Sequence, residues 1–92
     1  MGQPRKDNSR RDNDVLRAIC TILAEGRLPS LRDAAGASGY TNPSTYISFL
    51  ALREQGRLVR VHSGGNTIYL PPLVAQKITE GANFLLEEMG SG

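Results

Sequence analysis

The chain has 92 residues, 39% of them hydrophobic and 22% charged, and a formal net charge of +2. A chain of this length forms one domain with a modest core and leaves little room for a deep substrate pocket. No apolar run approaches the ~18 residues that a membrane span requires, and the polar N-terminus lacks the apolar segment of a secretory signal, so we expect a cytoplasmic protein.

The charges are unevenly distributed along the chain. Residues 1–62 carry ten basic and six acidic side chains, a balance of +4, whereas residues 63–92 carry one basic and three acidic side chains, a balance of −2. A basic first part and an acidic end favour an anionic partner for the first part.

The inventory of reactive side chains argues against an enzyme, and we expect no catalytic residues, no metal site and no cofactor. Cys20 and His62 are the single cysteine and the single histidine, too few for a metal site of the usual kind. The sequence contains no glycine-rich nucleotide-binding motif and no CxxC pair. Cys20 lies in an apolar helical pattern, which predicts a small buried side chain in a reducing compartment.

Residues 1–12 predict a flexible basic arm. They contain four basic side chains and no aliphatic residue after Met1, so the segment has too little apolar surface to order itself. Two interpretations stay open. The arm contacts DNA phosphates or a minor groove, or it is a solubilising tail, since Asp7 and Asp12 dilute its charge.

The next segment, 13–72, predicts one domain that begins with a helix. Apolar residues at three- and four-residue spacing indicate this helix over about 13–25, and Gly26 suits its C-terminal end. A short extended piece follows at 27–28.

Two further helices are marked by their N-terminal signals. Ser30 and Asp33 form a capping box, so the second helix begins after Ser30. The third helix, over about 42–55, starts with Asn42 as its N-cap and Pro43 at its first helical position.

The apolar period then changes from helical to alternating. Residues 58–62 and 67–70 predict two strands, and the Gly-Gly-Asn turn between them favours a β-hairpin. Residues 73–89 predict a fourth helix, because apolar side chains recur there at helical spacing.

The order of helix, short strand, helix, turn, helix and hairpin is that of a winged helix-turn-helix, here with an added C-terminal helix. The fold class is therefore mainly α with a small antiparallel β-hairpin. Three stretches carry a resemblance to known families: Leu28-Pro29-Ser30-Leu31-Arg32-Asp33, Gly39-Tyr40-Thr41-Asn42-Pro43-Ser44-Thr45, and Phe49-x-x-Leu52-x-x-x-Gly56-x-Leu58-Val59-Arg60. They resemble the N-terminal DNA-binding domain of LexA-type repressors, and the last is also similar to the winged helices of MarR-type regulators. The spacing from Pro43 to Gly56 is one residue shorter than in LexA.

The resemblance implies a sequence-specific transcriptional regulator, by default a repressor, that binds double-stranded DNA with helix 3 in the major groove and the 58–70 hairpin as a wing. Hydroxyl and amide side chains read base edges, and arginines bind phosphates. The candidate DNA contacts are Ser30, Arg32, Thr41, Asn42, Ser44, Thr45, Ser48, Arg60, His62, Gly64, Gly65 and Asn66.

Helix 3 has no basic residue before Arg53. This favours either an A·T-rich site or affinity supplied by the arm and by two paired subunits. The alternative function is a winged helix that binds another protein and not DNA.

The fourth helix is the candidate dimerisation element, since a compact winged helix needs no further helix to close its core. Its apolar stripe either pairs with a second copy or folds back onto its own domain. The residues of the stripe are Val74, Ile78, Ala82, Leu85 and Met89.

Overall fold

A computed structural model of the chain describes residues 4–63 and 65–90. The elements follow one another as α1 (Pro4–Ala24), α2 (Leu31–Ser38), α3 (Asn42–Glu54), β1 (Val59–Ser63), β2 (Asn66–Leu70) and α4 (Pro72–Gly90). The protein is mainly helical, with a small antiparallel hairpin and a C-terminal helix, which confirms the predicted fold class.

The first helix begins much earlier than its apolar pattern predicts. Residues 4–12 belong to α1, so the prediction of a flexible arm over 1–12 is wrong for the described part of that segment. Pro4 suits the start of a helix, where its missing N–H leaves no bond unmade. Arg11 Nε donates to Ser48 Oγ at 2.8 Å, and Asp12 is buried against the domain. The hydrogen bond from Arg11 anchors this part of the helix, which lacks aliphatic residues.

The N-terminal caps of α2 and α3 fix where each helix begins. Ser30 Oγ accepts the amide hydrogen of Asp33 at 3.1 Å, as the capping box predicts. In α3 the cap is Thr41 and not the predicted Asn42, because Thr41 Oγ1 accepts the amide hydrogen of Ser44 at 3.3 Å. Asn42 is therefore the first residue of the helix, and Pro43 occupies the second position, where it is equally tolerated.

The two strands form an antiparallel hairpin whose register runs from Val59 opposite Leu70 to Ser63 opposite Asn66. Gly65 has φ +87°, which only glycine adopts without strain in a tight turn. The short strand predicted at 27–28 does not join this sheet. The backbone amide of Arg27 donates to the carbonyl oxygen of Ile22 at 3.2 Å. Pro29, two residues later, has no amide hydrogen to donate to a neighbouring strand.

The core lies between α1, α2, α3 and the hairpin. Phe49 from α3 and Tyr69 from β2 pack with ring centroids 5.2 Å apart and rings tilted by 45°. This tilted arrangement is one that aromatic pairs prefer. The buried cluster consists of Val15, Ile19, Ala34, Phe49, Leu52, Leu58 and Tyr69.

Cys20 is exposed, so the prediction of a buried thiol is wrong. Successive residues of an α-helix are rotated by about 100°, and α1 turns Ile19 and Ile22 into the core. Cys20 consequently lies beside the apolar face and not within it.

The fourth helix projects from this core. None of its residues is buried, and of the other elements it contacts β1. The molecule measures 63 × 23 × 22 Å along its principal axes, so it is markedly elongated. Among the described residues, no helix is long and apolar enough to cross a membrane.

Candidate nucleic-acid interface

The first turn of α3 begins at the surface of the domain. Asn42 is exposed and Ser44 is half-buried, so both side chains remain open to a ligand. The Thr41 hydroxyl accepts the Ser44 amide and its carbonyl accepts Thr45 Oγ1, which makes Thr41 chiefly a capping residue.

Two of the predicted base-reading residues are instead buried, so the prediction that their side chains face a ligand is wrong. Thr45 and Ser48 have no exposed surface. Thr45 Oγ1 donates to Thr41 O at 2.8 Å, and Ser48 Oγ accepts from Arg11 at 2.8 Å. Together with Phe49 and Leu52 they form a face at three- and four-residue spacing that turns into the domain.

The solvent face of α3 is formed by residues that the sequence analysis did not single out. Tyr46 is 45% exposed, Ile47 53% and Leu50 37%. The three- and four-residue spacing of Thr45, Ser48 and Leu52 could have predicted the buried face of α3, since residues three or four apart share one face of a helix.

Two arginines of α1 lie beside the start of α3. An open groove is lined by Asn8, Arg10, Arg11, Asp14, Tyr40 and Ser44. Arg10 and Arg11 belong to the segment that the sequence predicts as a flexible arm, whereas the helical extension of α1 holds them next to Ser44. Their positive charge adds to that of the exposed N-terminal end of α3, where anions bind favourably.

Asp14 is the acidic group in this groove, and Tyr40 engages it. Tyr40 Oη donates to Asp14 Oδ2 at 2.8 Å. This hydrogen bond, together with partial desolvation of the ring and the charge of Asp14, raises the pKa of Tyr40 above its ordinary value. The hydrogen bond fixes the Asp14 carboxylate against Tyr40, with both arginines close by.

A second groove, of about 270 Å³, separates α3 from the hairpin. Tyr46 lines it from the helix, and Arg60 and Thr67 line it from the strands. Arg60 is exposed, and Ser30 and Arg32 are exposed at the start of α2. The first turns of α3 thus have arginines on both sides, from α1 and from β1.

The remaining candidates lie at or near the hairpin tip. His62 is exposed, and its Nδ1 lies 3.5 Å from Thr67 Oγ1 on the opposite strand. Gly65 is exposed in the turn, and Asn66 begins β2. Gly64 lies outside the described residues.

Among the residues that the structure describes, no group of three or more histidine, cysteine, aspartate or glutamate side chains could hold a metal ion. Comparison of the chain with family models, with curated proteins and with solved structures gave no match.

Proposed function

We propose that this protein is a transcriptional regulator that binds duplex DNA, with the start of α3 in the major groove and the β1–β2 hairpin as a wing. One observation carries the proposal. Ser44 shares a groove with Arg10 and Arg11, and Tyr46, two residues further along α3, shares a groove with Arg60. A groove-reading helix flanked on both sides by arginines is suited to a duplex, whose phosphates line both edges of the major groove.

The proposed reading face combines polar and apolar contacts. Asn42 and Ser44 hydrogen-bond base edges, and Asn is well matched to adenine. Tyr46 and Ile47 offer apolar surface to thymine methyl groups. No arginine lies on this part of α3, so we propose a preference for A·T pairs and not for guanine.

Such a module acts as a repressor when it occupies a site that the transcription machinery needs, and we propose a cytoplasmic location for it. The likeness of its motifs to LexA-type repressors supports the same function. In this proposal Arg10, Arg32 and Arg60 supply affinity without choosing bases.

A second candidate function is favoured by the composition of the α3 surface. Tyr46, Ile47 and Leu50 form an exposed apolar face on one side of the helix. Exposed aromatic and aliphatic side chains of this kind also bind partner proteins. Selection of bound duplexes from a random DNA pool separates the two functions, because a protein-binding module selects no DNA sequence.

The test is selection of bound duplexes from a random DNA pool, followed by fluorescence anisotropy at several salt concentrations. We expect an enriched A·T-rich sequence whose binding falls steeply with salt. Arg10→Ala and Arg60→Ala each weaken binding to all sequences and lower the salt slope by about one. Failure to enrich any sequence, with flat anisotropy at low salt, contradicts the proposal.

Arg17→Ala is the matched control for Arg10→Ala. Arg17 lies two turns further along α1, about 10 Å away, in a groove beside Ala37 and Ser38 and not beside α3. Like Arg10→Ala, the substitution Arg17→Ala removes one positive charge from α1. An equal loss of affinity in both variants indicates a general charge effect and not a docked α1.

A further inference from the structure

The C-terminal helix presents an apolar surface much larger than its own domain covers. In the C-terminal half of α4, beyond Gly81, Leu85 is 60% exposed, Leu86 63% and Met89 69%. At about 100° per residue these side chains lie on the same side of α4 as Ile78 and Ala82. The apolar stripe therefore extends beyond the domain, and no other described helix or strand covers it there.

The other half of the stripe faces an open apolar cleft. Ala75, Ile78 and Thr79 of α4 line it on one side, and Leu28 and Ile68 line it on the other. The cleft has a volume of about 220 Å³, and within it Leu28 is 55% and Ile78 51% exposed. Its lining is predominantly aliphatic, so it suits an apolar side chain.

We propose that the stripe and the cleft are covered by a second copy of this chain, with the two α4 helices antiparallel. A two-fold axis near residues 82 and 83 brings the C-terminal half of each helix beside the N-terminal half of the other. Met89 and Leu85 of one copy then enter the cleft beside Ile78 of its partner. Gly81 and Ala82, with small side chains, lie at the crossing and allow close approach of the backbones.

The charges on α4 favour this orientation. Lys77 and Glu88 lie on the same edge of the stripe, because eleven residues bring a helix back to nearly the same angle. In an antiparallel pair, equivalent edges face each other, so each Lys77 is level with the partner's Glu88. In a parallel pair, the edge that carries Lys77 and Glu88 faces the edge that carries Thr79 and Asn83, and no ion pair forms.

Lys77 can contact Glu88 of a second copy with little loss of free energy from its present ion pair. Its ammonium group lies 3.6 Å from Glu80, and both side chains are more than half exposed, so that ion pair is weak. The buried area comes mainly from one 19-residue helix, about 28 Å long, and from the cleft. This is at the small end of stable interfaces, so we expect a dissociation constant on the order of micromolar.

Sedimentation equilibrium of the full chain without DNA tests the proposal independently of DNA binding. We expect a monomer–dimer equilibrium for the natural sequence. Lys77→Glu and Glu88→Lys each raise the dissociation constant about tenfold or more, since each makes two like-charge contacts. The chain that carries both substitutions restores dimerisation, because the ion pairs are re-formed with their signs exchanged.

Glu87→Lys is the matched control, since Glu87 is adjacent to Glu88 in sequence but is rotated away from the stripe. It leaves the dissociation constant within about twofold, and circular dichroism verifies that every variant is folded. A natural chain that is monomeric at about 100 µM overturns the proposal. A dimer that the charge exchange does not restore overturns the antiparallel arrangement.

Discussion

In the proposed interface, the side chains of α3 divide between those that contact bases and those that support the fold. Ser44 is open to the groove, whereas Ser48, one turn later, is buried and bonded to Arg11. The two serines thus differ in role although they have the same chemistry. Thr45, between them, has its hydroxyl engaged by the backbone of Thr41.

Ser44→Ala is expected to relax base preference at one position at a cost of about 1–3 kcal/mol in binding. Ser48→Ala is expected to leave the preferred sequence unchanged, because its hydroxyl faces α1. Binding selection with both variants, after circular dichroism melting, makes the comparison. If Ser48→Ala changes the selected sequence and Ser44→Ala does not, the reading face has been assigned to the wrong side of α3.

Tyr40 is expected to make stability depend on pH in the alkaline range. Its pKa is raised in the folded chain, chiefly by the hydrogen bond to Asp14, so the unfolded chain ionises first as the pH rises. The stabilisation is complete below the unfolded pKa of about 10 and is lost as the pH rises through the higher folded value. Tyr40→Phe removes this contribution.

Thermal melting between about pH 8 and 11 checks this expectation. The melting temperature of the natural chain should fall more steeply with pH than that of Tyr40→Phe. The two remaining tyrosines are present in both chains and provide the internal reference. Parallel pH profiles of the two chains contradict the assignment.

At the scale of secondary-structure elements, the N-terminal half of α1 depends on a contact made far along the sequence. Ser48→Ala leaves the guanidinium of Arg11 without its partner on α3, and a hydrogen bond to a charged group contributes about 1.5–3 kcal/mol, less where water replaces it. We expect a loss of about 1 kcal/mol in unfolding free energy. Amide hydrogen exchange should show opening of residues 4–11 first.

The sequence predicted those features of the elements that depend on local chemistry. The Ser30 cap, the C-terminal ends of α1 and α3 and the β-hairpin all follow from residues close together in the chain. Three features depend on contacts between distant residues and were not predictable in the same way. These are the ordered start of α1, which needs Ser48, the rotation of α3 toward α1, and the outward position of Cys20.

The candidate site was predicted only in part for the same reason. The start of α3 was identified, with Asn42 and Ser44, from its capping signals. Whether Thr45 or Tyr46 faces solvent depends on which side α1 covers, and apolar periodicity is ambiguous in a segment as polar as Asn42–Ser48. Arg10 joins the candidate site because α1 extends N-terminal of Asp12 and holds Arg10 in the groove beside Ser44.

For the whole molecule, the domain and α4 are expected to be separable. No residue of α4 is buried, so a chain that ends at Pro72 loses little core. We expect it to keep a cooperative melt close to that of the full chain while becoming monomeric. Sedimentation and circular dichroism on the shortened chain provide the measurement, and loss of the cooperative transition contradicts this division.

The elongated form of the chain has a hydrodynamic consequence. Its radius of gyration is 15.4 Å, whereas a compact chain of this length has about 12 Å. A single copy therefore experiences more friction than a sphere of equal mass and elutes early from a gel-filtration column, at a volume that mimics a heavier particle. Mass must be measured by a shape-independent method, such as light scattering, before an early peak is assigned to two copies.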